Sequence, residues 1–190
     1  MAINNCSGSV LQHCLRVVSF TTLLGVAEAA TAADETLRLA RDSRAEAVIV
    51  VRPDAGKVAE FAATELKHFL DLATKADFTI TDRIPAAGPA ILLGDTAESR
   101  QLGMDVSTLK RDGVRLLRRG RFVMLAGRDD KEYNIANYAN HVDESPHGGR
   151  GWRSRVTKPE HGTLFAVYEF LERTVGIRWY YPGELGTSIP

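Results

Sequence analysis

Three groups of side chains in this sequence carry chemistry. The first is a run of imidazoles and carboxylates: His141, Asp143, Glu144 and His147, with Asp129 and Asp130 upstream and His161 downstream. Imidazole nitrogens and carboxylate oxygens are protein ligands of zinc. The spacing fits no established ligand set, and Ser145-Pro146-His147-Gly148-Gly149 is a string of turn formers. A solvated loop accounts for the run more simply, so no metal is assigned. The second group is Gly148–Arg155, where Trp152 lies among Arg150, Arg153 and Arg155. A guanidinium pairs bidentately with a carboxylate, and an indole offers a flat face to sugar C–H groups, so Trp152 and Arg153 are candidates for contact with a carboxylated sugar. Docking against another domain would use the same residues. The third group is Arg178-Trp179-Tyr180-Tyr181. Strand alternation sends Trp179 and Tyr181 to one face and Tyr180 to the other. Trp179 and Tyr181 are therefore candidates for a sugar platform or for a domain interface, with packing favoured, and Arg178 would reach toward a neighbouring site.

Other patterns exclude more than they suggest. Arg115, Arg118, Arg119 and Arg121 cluster at a turn, but 24 basic residues balance 24 acidic ones. Nucleic-acid binding needs a wider basic field with stacking aromatics, so a solvated turn is the better reading. No G-x-G-x-x-G, Walker A or G-x-S-x-G pattern occurs, which leaves nucleotide chemistry and a serine triad without an anchor. Glu65, Glu169 and Glu172 read as exposed helix residues rather than an acid/base pair. No catalytic residue and no cofactor is assigned.

The elements that must position these groups are legible from periodicity. Thr36–Ala40 alternates weakly, as an edge strand would. Ala47–Val51 is a β-branched run stopped by Pro53, a buried strand. Gly56 and Lys57 open a helix to about Lys75, with Val58, Phe61, Ala62, Leu66, Phe69, Leu70 and Ala73 on one face. Phe78–Thr81 and Ala90–Gly94 are further strands, and a short helix runs from Thr96 to about Leu102. Gly113–Leu117 and Phe122–Gly127 form a hairpin around Arg119-Gly120-Arg121. Arg128–His161 is polar and irregular. A last helix buries Leu164, Val167, Tyr168, Leu171 and Val175, and Gly176 ends it. Helices alternating with short apolar strands, plus an inserted hairpin, predict an α/β sandwich with a mixed β-sheet packed with helices.

The N-terminus reads as a targeting segment. Arg16 is the only charged residue before Glu28, an apolar run spans Val17–Val26, and small residues follow. That order is the layout of a secretory signal peptide, here residues 1–32, leaving 33–190 as one α/β domain and no membrane segment after cleavage. Both cysteines, Cys6 and Cys14, lie in the leader, so the mature chain would hold neither a disulfide nor a thiolate nucleophile. Export to the periplasm or the medium is the expectation.

Four blocks together carry a family resemblance: Ala62–Leu70, Ile91–Gly94, Asp112-Gly113-Val114 and, most specifically, Gly162–Pro190. The chain resembles the N-terminal domain of family 67 α-glucuronidases. It is closer still to the related domain that precedes the DUF4838 region in bacterial exported proteins, and it is similar to the accessory domain of family 20 hexosaminidases. The resemblance implies that catalysis resides in a following (β/α)8 barrel. There two carboxylates flank the glycosidic bond, about 5 Å apart for retention or roughly 6.5–9.5 Å for inversion. A barrel takes about 250 residues, so the catalytic barrel is absent from this chain, which is expected to stop where the barrel would begin. A second departure from the family is the 129–160 insertion, about 30 residues where many relatives have almost none.

The expectation is therefore a non-catalytic accessory domain of an exported glycoside hydrolase, partnered by a (β/α)8 barrel in cis or in trans and acting near polysaccharide. The alternative is a free-standing extracytoplasmic module that binds carbohydrate or protein.

Overall fold

The computed structural model describes residues 36–130 and 160–190. The 4-residue strand β3 (Val48–Val51) and β5 (Ala90–Leu93) lie side by side and parallel, with Ile49 opposite Ile91. β4 (Ile80–Thr81) adds in parallel outside β3, and β7 (Phe122–Gly127) adds in parallel outside β5. β6 (Val114–Arg119) closes the other edge by pairing antiparallel with β7, so the sheet order is β4-β3-β5-β7-β6. This is the mixed sheet packed with helices that the alternation implies, and the described residues form no closed barrel. No described helix is long and apolar enough to cross a membrane.

Two helices cover one face. Helix α1 (Lys57–Thr74) buries Val58, Ala62, Leu66 and Leu70, and α3 (Gly162–Phe170) buries Leu164, Val167 and Phe170. Both pack over Ile49, Ile91, Leu93 and Leu125. The opposite face, Val50, Ala90, Leu92, Met124 and Ala126, lies under Met104 and Val106, which follow the short helix α2 (Ala97–Gln101). All four residues of β5 are buried, as expected of a central parallel strand covered on both sides. Truncating Leu66, which is fully buried, would cost about 2–5 kcal/mol.

Several boundaries differ from the periodicity. The alternating Thr36–Ala40 does not join the main sheet. Ala40–Arg41 (β1) and Arg44–Ala45 (β2) form a separate hairpin instead. Asp42 and Ser43 both take positive φ, the geometry of a two-residue hairpin turn. Phe78 is not a strand residue but a fully buried core side chain, held by its N–H to Asp71 Oδ1 at 2.8 Å. The last helix changes register after Phe170 into a π-helical turn, Leu171–Val175, and Gly176 at φ 91° closes it.

β7 and α3 meet without intervening side chains. A Cβ on Gly127 would lie 2.3 Å from the Gly162 carbonyl carbon, and one on Gly162 would lie 2.5 Å from the Arg128 nitrogen. Only glycine at both positions lets the strand end and the helix start touch. Around this crossing the Thr163 N–H donates to Asp129 Oδ1 at 2.8 Å, and the Gly162 N–H donates to the Arg128 carbonyl at 2.8 Å. Asp129 and His161 pair as an antiparallel bridge. Asp130 and Glu160 therefore lie side by side, joined by the Asp130 N–H to the Glu160 carbonyl at 2.9 Å. Loop-closure cost grows only slowly with length, so a long connection between these two positions is tolerated by the sheet and helices.

Candidate functional site

Past Gly176 the chain forms a small hairpin, β8 (Arg178–Trp179) against β9 (Thr187–Ser188), with Trp179 opposite Thr187. Its loop is tightly built. The Tyr181 hydroxyl donates to the Leu185 carbonyl at 2.9 Å, the Thr187 hydroxyl to the Gly183 carbonyl at 3.1 Å, and the Gly186 N–H to the same carbonyl at 3.1 Å. A Cβ on Gly186 would sit 2.0 Å from the Tyr181 carbonyl oxygen, so the loop cannot close around any other residue.

The aromatic block divides in a way that simple alternation does not capture. The strand ends at Trp179, and only Trp179 turns inward. Its ring meets Phe69 at 5.2 Å and Tyr168 at 5.3 Å, both nearly perpendicular. Tyr180 and Tyr181 are both exposed, at 75% and 56%, and Leu185 is 92% exposed. Tyr181 thus does not share the packed environment of Trp179. Arg178 folds back rather than outward: its guanidinium donates to the Glu172 carbonyl at 2.5 Å and to the Ile177 carbonyl at 2.9 Å. The hairpin is anchored to the end of the last helix by that arginine and to α1 by Trp179.

Between α1 and this hairpin lies an open groove of about 530 Å³. His68, Phe69 and Leu72 line one wall, and Trp179, Glu184, Thr187 and Ile189 line the other. Sequence patterning singles out Trp179 but not His68, Leu72 or Glu184. One signal was present: Leu72 extends the apolar stripe of α1 past the residues packed on the core, and His68 lies four positions from Leu72, on the same side of the helix.

A second, smaller cavity of about 230 Å³ opens at the carboxyl end of β5 and β7, among Asp95, Ser107, Arg128, Asp129 and Glu160. Its charged groups are engaged within the fold. Asp95 pairs with Arg100 at 2.9 Å, Glu160 with Arg128 at 3.1 Å, and Asp129 accepts from the α3 terminus. Beside it burial pushes the His161 imidazole below its ordinary pKa, against the opposing pull of Asp112 and Asp130.

The remaining candidates divide between structural roles and the undescribed segment. His141, Asp143, Glu144, His147, Trp152 and Arg153 lie outside the described residues. Among the described residues no group of three or more histidine, cysteine or carboxylate side chains converges as a metal site. In the basic turn, Arg121 braces the fold. It donates to the Gly88 and Pro85 carbonyls at 2.6 and 2.8 Å and lies over the Phe122 ring at 4.3 Å. Glu65, read as an exposed helix residue, is part-buried and accepts from the Tyr168 hydroxyl at 2.7 Å. Burial, followed by that bond to Glu65, pushes the Tyr168 phenol well above its ordinary pKa.

No known family matches the chain by its sequence model, and no curated protein matches it. Among solved structures it is similar to a family GH115 4-O-methyl-α-glucuronidase described as specific for decorated arabinogalactans. The identity is 15% and the TM-score 0.44, over 80% of this chain and 17% of that one. The chain thus spans about a sixth of the length of that enzyme.

Proposed function

We propose that this chain is a non-catalytic accessory domain of an exported, α-glucuronidase-like carbohydrate-active enzyme, released from its leader at residues 1–32 and docked through its C-terminal hairpin onto a (β/α)8 catalytic barrel, in cis or in trans. The observation that carries this reading is the hairpin tip. Tyr180, Tyr181 and Leu185 stand exposed on a loop whose backbone is held by its own hydrogen bonds. A loop whose backbone is already ordered gives up less entropy on binding a partner, and exposed tyrosines are enriched at interfaces. The resemblance of Gly162–Pro190 to the segment that leads into the barrel in related enzymes supports a barrel as the partner. The carboxylates support a structural rather than a catalytic role: Glu65, Glu98, Glu160, Glu169 and Glu172 each hold a tyrosine or arginine of the fold.

The test is to mix the purified mature chain with an α-glucuronidase barrel domain lacking its own N-terminal domain and follow association by analytical ultracentrifugation. Association is expected, with a rise in the barrel's thermal stability, and the chain alone is expected to release no product from glycuronosides or hexosaminides. Turnover by the chain alone, or no association with any such barrel, would overturn the reading.

A further inference from the structure

The groove between α1 and the C-terminal hairpin differs chemically from the hairpin tip. Its lining is part apolar, from Phe69, Leu72, Trp179 and Ile189, and part polar, from His68 on the α1 side and Glu184 and Thr187 on the hairpin side. The Trp179 ring is locked by two perpendicular neighbours, Phe69 and Tyr168, so it is pre-set rather than free to swing. His68 and Glu184 are exposed, and neither side chain spends a hydrogen bond or ion pair on another described residue. The Thr187 hydroxyl donates to the Gly183 carbonyl, which leaves its lone pairs as acceptors. Among the described residues no lysine or arginine lines the groove.

We infer that this groove binds a neutral pyranose unit of a saccharide. A pyranose has an apolar C–H face and a rim of hydroxyls, and the lining is complementary to both. The apolar side chains take the C–H face. A carboxylate at Glu184 accepts from one or two sugar hydroxyls, charge-assisted bonds of the stronger kind. The His68 imidazole nitrogens offer further hydrogen bonds. The charge on the rim decides between sugar classes. A uronate carboxylate would face the Glu184 carboxylate with no lysine or arginine among the described lining residues to offset it, so neutral hexoses and pentoses are selected over uronic acids. The site adds a ligand to the accessory role rather than resting on it. In an assembled enzyme it would hold an uncharged stretch of the polymer away from the bond being cut.

The probe is saturation-transfer NMR and calorimetry on the full mature chain with methyl β-xyloside, methyl β-galactoside, a xylo-oligosaccharide series and sodium glucuronate. Saturable binding of at least one neutral glycoside is expected, in the millimolar range for a single ring, as the modest atom count of a monosaccharide in an open groove implies. Glucuronate should bind at least 10-fold more weakly. His68→Ala and Glu184→Ala change exposed side chains, so the melting temperature should hold while affinity falls about 10-fold in each. The double variant Tyr180→Ser, Leu185→Ser should bind sugar like the parent. Three results would overturn the inference: no saturable binding of any neutral glycoside, tighter binding of glucuronate, or affinity unchanged in both rim variants. Because no barrel domain enters this experiment, its failure leaves the accessory reading standing, and loss of barrel association leaves the groove standing.

Discussion

At the scale of single residues, two side chains link parts of the chain that sequence distance separates. The Tyr168 hydroxyl reaches Glu65 across the α1–α3 interface, 103 positions away. Tyr168→Phe keeps the ring packed on Trp179 but removes the donor, leaving a part-buried carboxylate with one hydrogen bond fewer. The expected loss is about 1–2 kcal/mol in urea unfolding, and a change within experimental error would show that water replaces the bond at no cost. His161 gives a pH signature. Burial depresses its folded pKa, while the unfolded imidazole titrates near its ordinary value of about 6.5. Below that value the unfolded chain binds the proton and the folded chain resists it, so stability falls as pH falls. In His161→Gln this component vanishes. The gap in melting temperature between variant and parent should shift in the variant's favour from pH 7 to pH 5, and a gap that stayed constant would remove His161 from the account.

At the scale of elements, the crossing of β7 and α3 is the joint on which the helical face depends. Gly127→Ala places a methyl group inside backbone atoms of the facing segment, 2.3 Å from the Gly162 carbonyl carbon. Neither side is a flexible side chain that could yield, so the strand end and the helix must separate. The expected destabilisation is about 3 kcal/mol, measured by denaturant unfolding. A loss below about 0.5 kcal/mol would mean the two elements do not touch in solution. The two central strands and α1 were legible in sequence because each announces itself locally: Val48–Val51 and Ala90–Leu93 are unbroken apolar runs, and α1 repeats its apolar face at helical spacing. The small N-terminal hairpin, the buried Phe78 and the π-helical turn were not legible. The pairing partner of Ala40, the carboxylate that receives the Phe78 N–H and the register change after Phe170 depend on contacts that no local window contains.

At the scale of the molecule, the chain offers two separate surfaces, an apolar hairpin tip and a mixed groove behind it. The triple variant Tyr180→Ser, Tyr181→Ser, Leu185→Ser tests the first. It should lower the melting temperature by no more than about 8 °C, since Tyr180 and Leu185 are exposed and cost at most about 0.5 kcal/mol each, while Tyr181 also gives up its exposed hydrogen bond to the Leu185 carbonyl, about 1 kcal/mol. It should abolish association with a barrel domain; undiminished association in sedimentation would move the interface elsewhere.

By itself the sequence determined the class of fold, the order of the central elements and the place where aromatics concentrate. Burial patterns repeat with the period of the element that carries them, and a glycine stop before an aromatic strand is a local signal. It also named Trp179 as a residue to watch. Only the tertiary structure decided what that residue is for. Alternation placed Trp179 and Tyr181 together, yet the strand ends after one step, sending the indole into Phe69 and Tyr168 and leaving both tyrosines in water. It likewise brought His68 of α1 and Glu184 of the hairpin into the lining of one groove. Such pairings are set by how a helix and a hairpin more than 100 positions apart come to share one core, and neither segment carries that information alone.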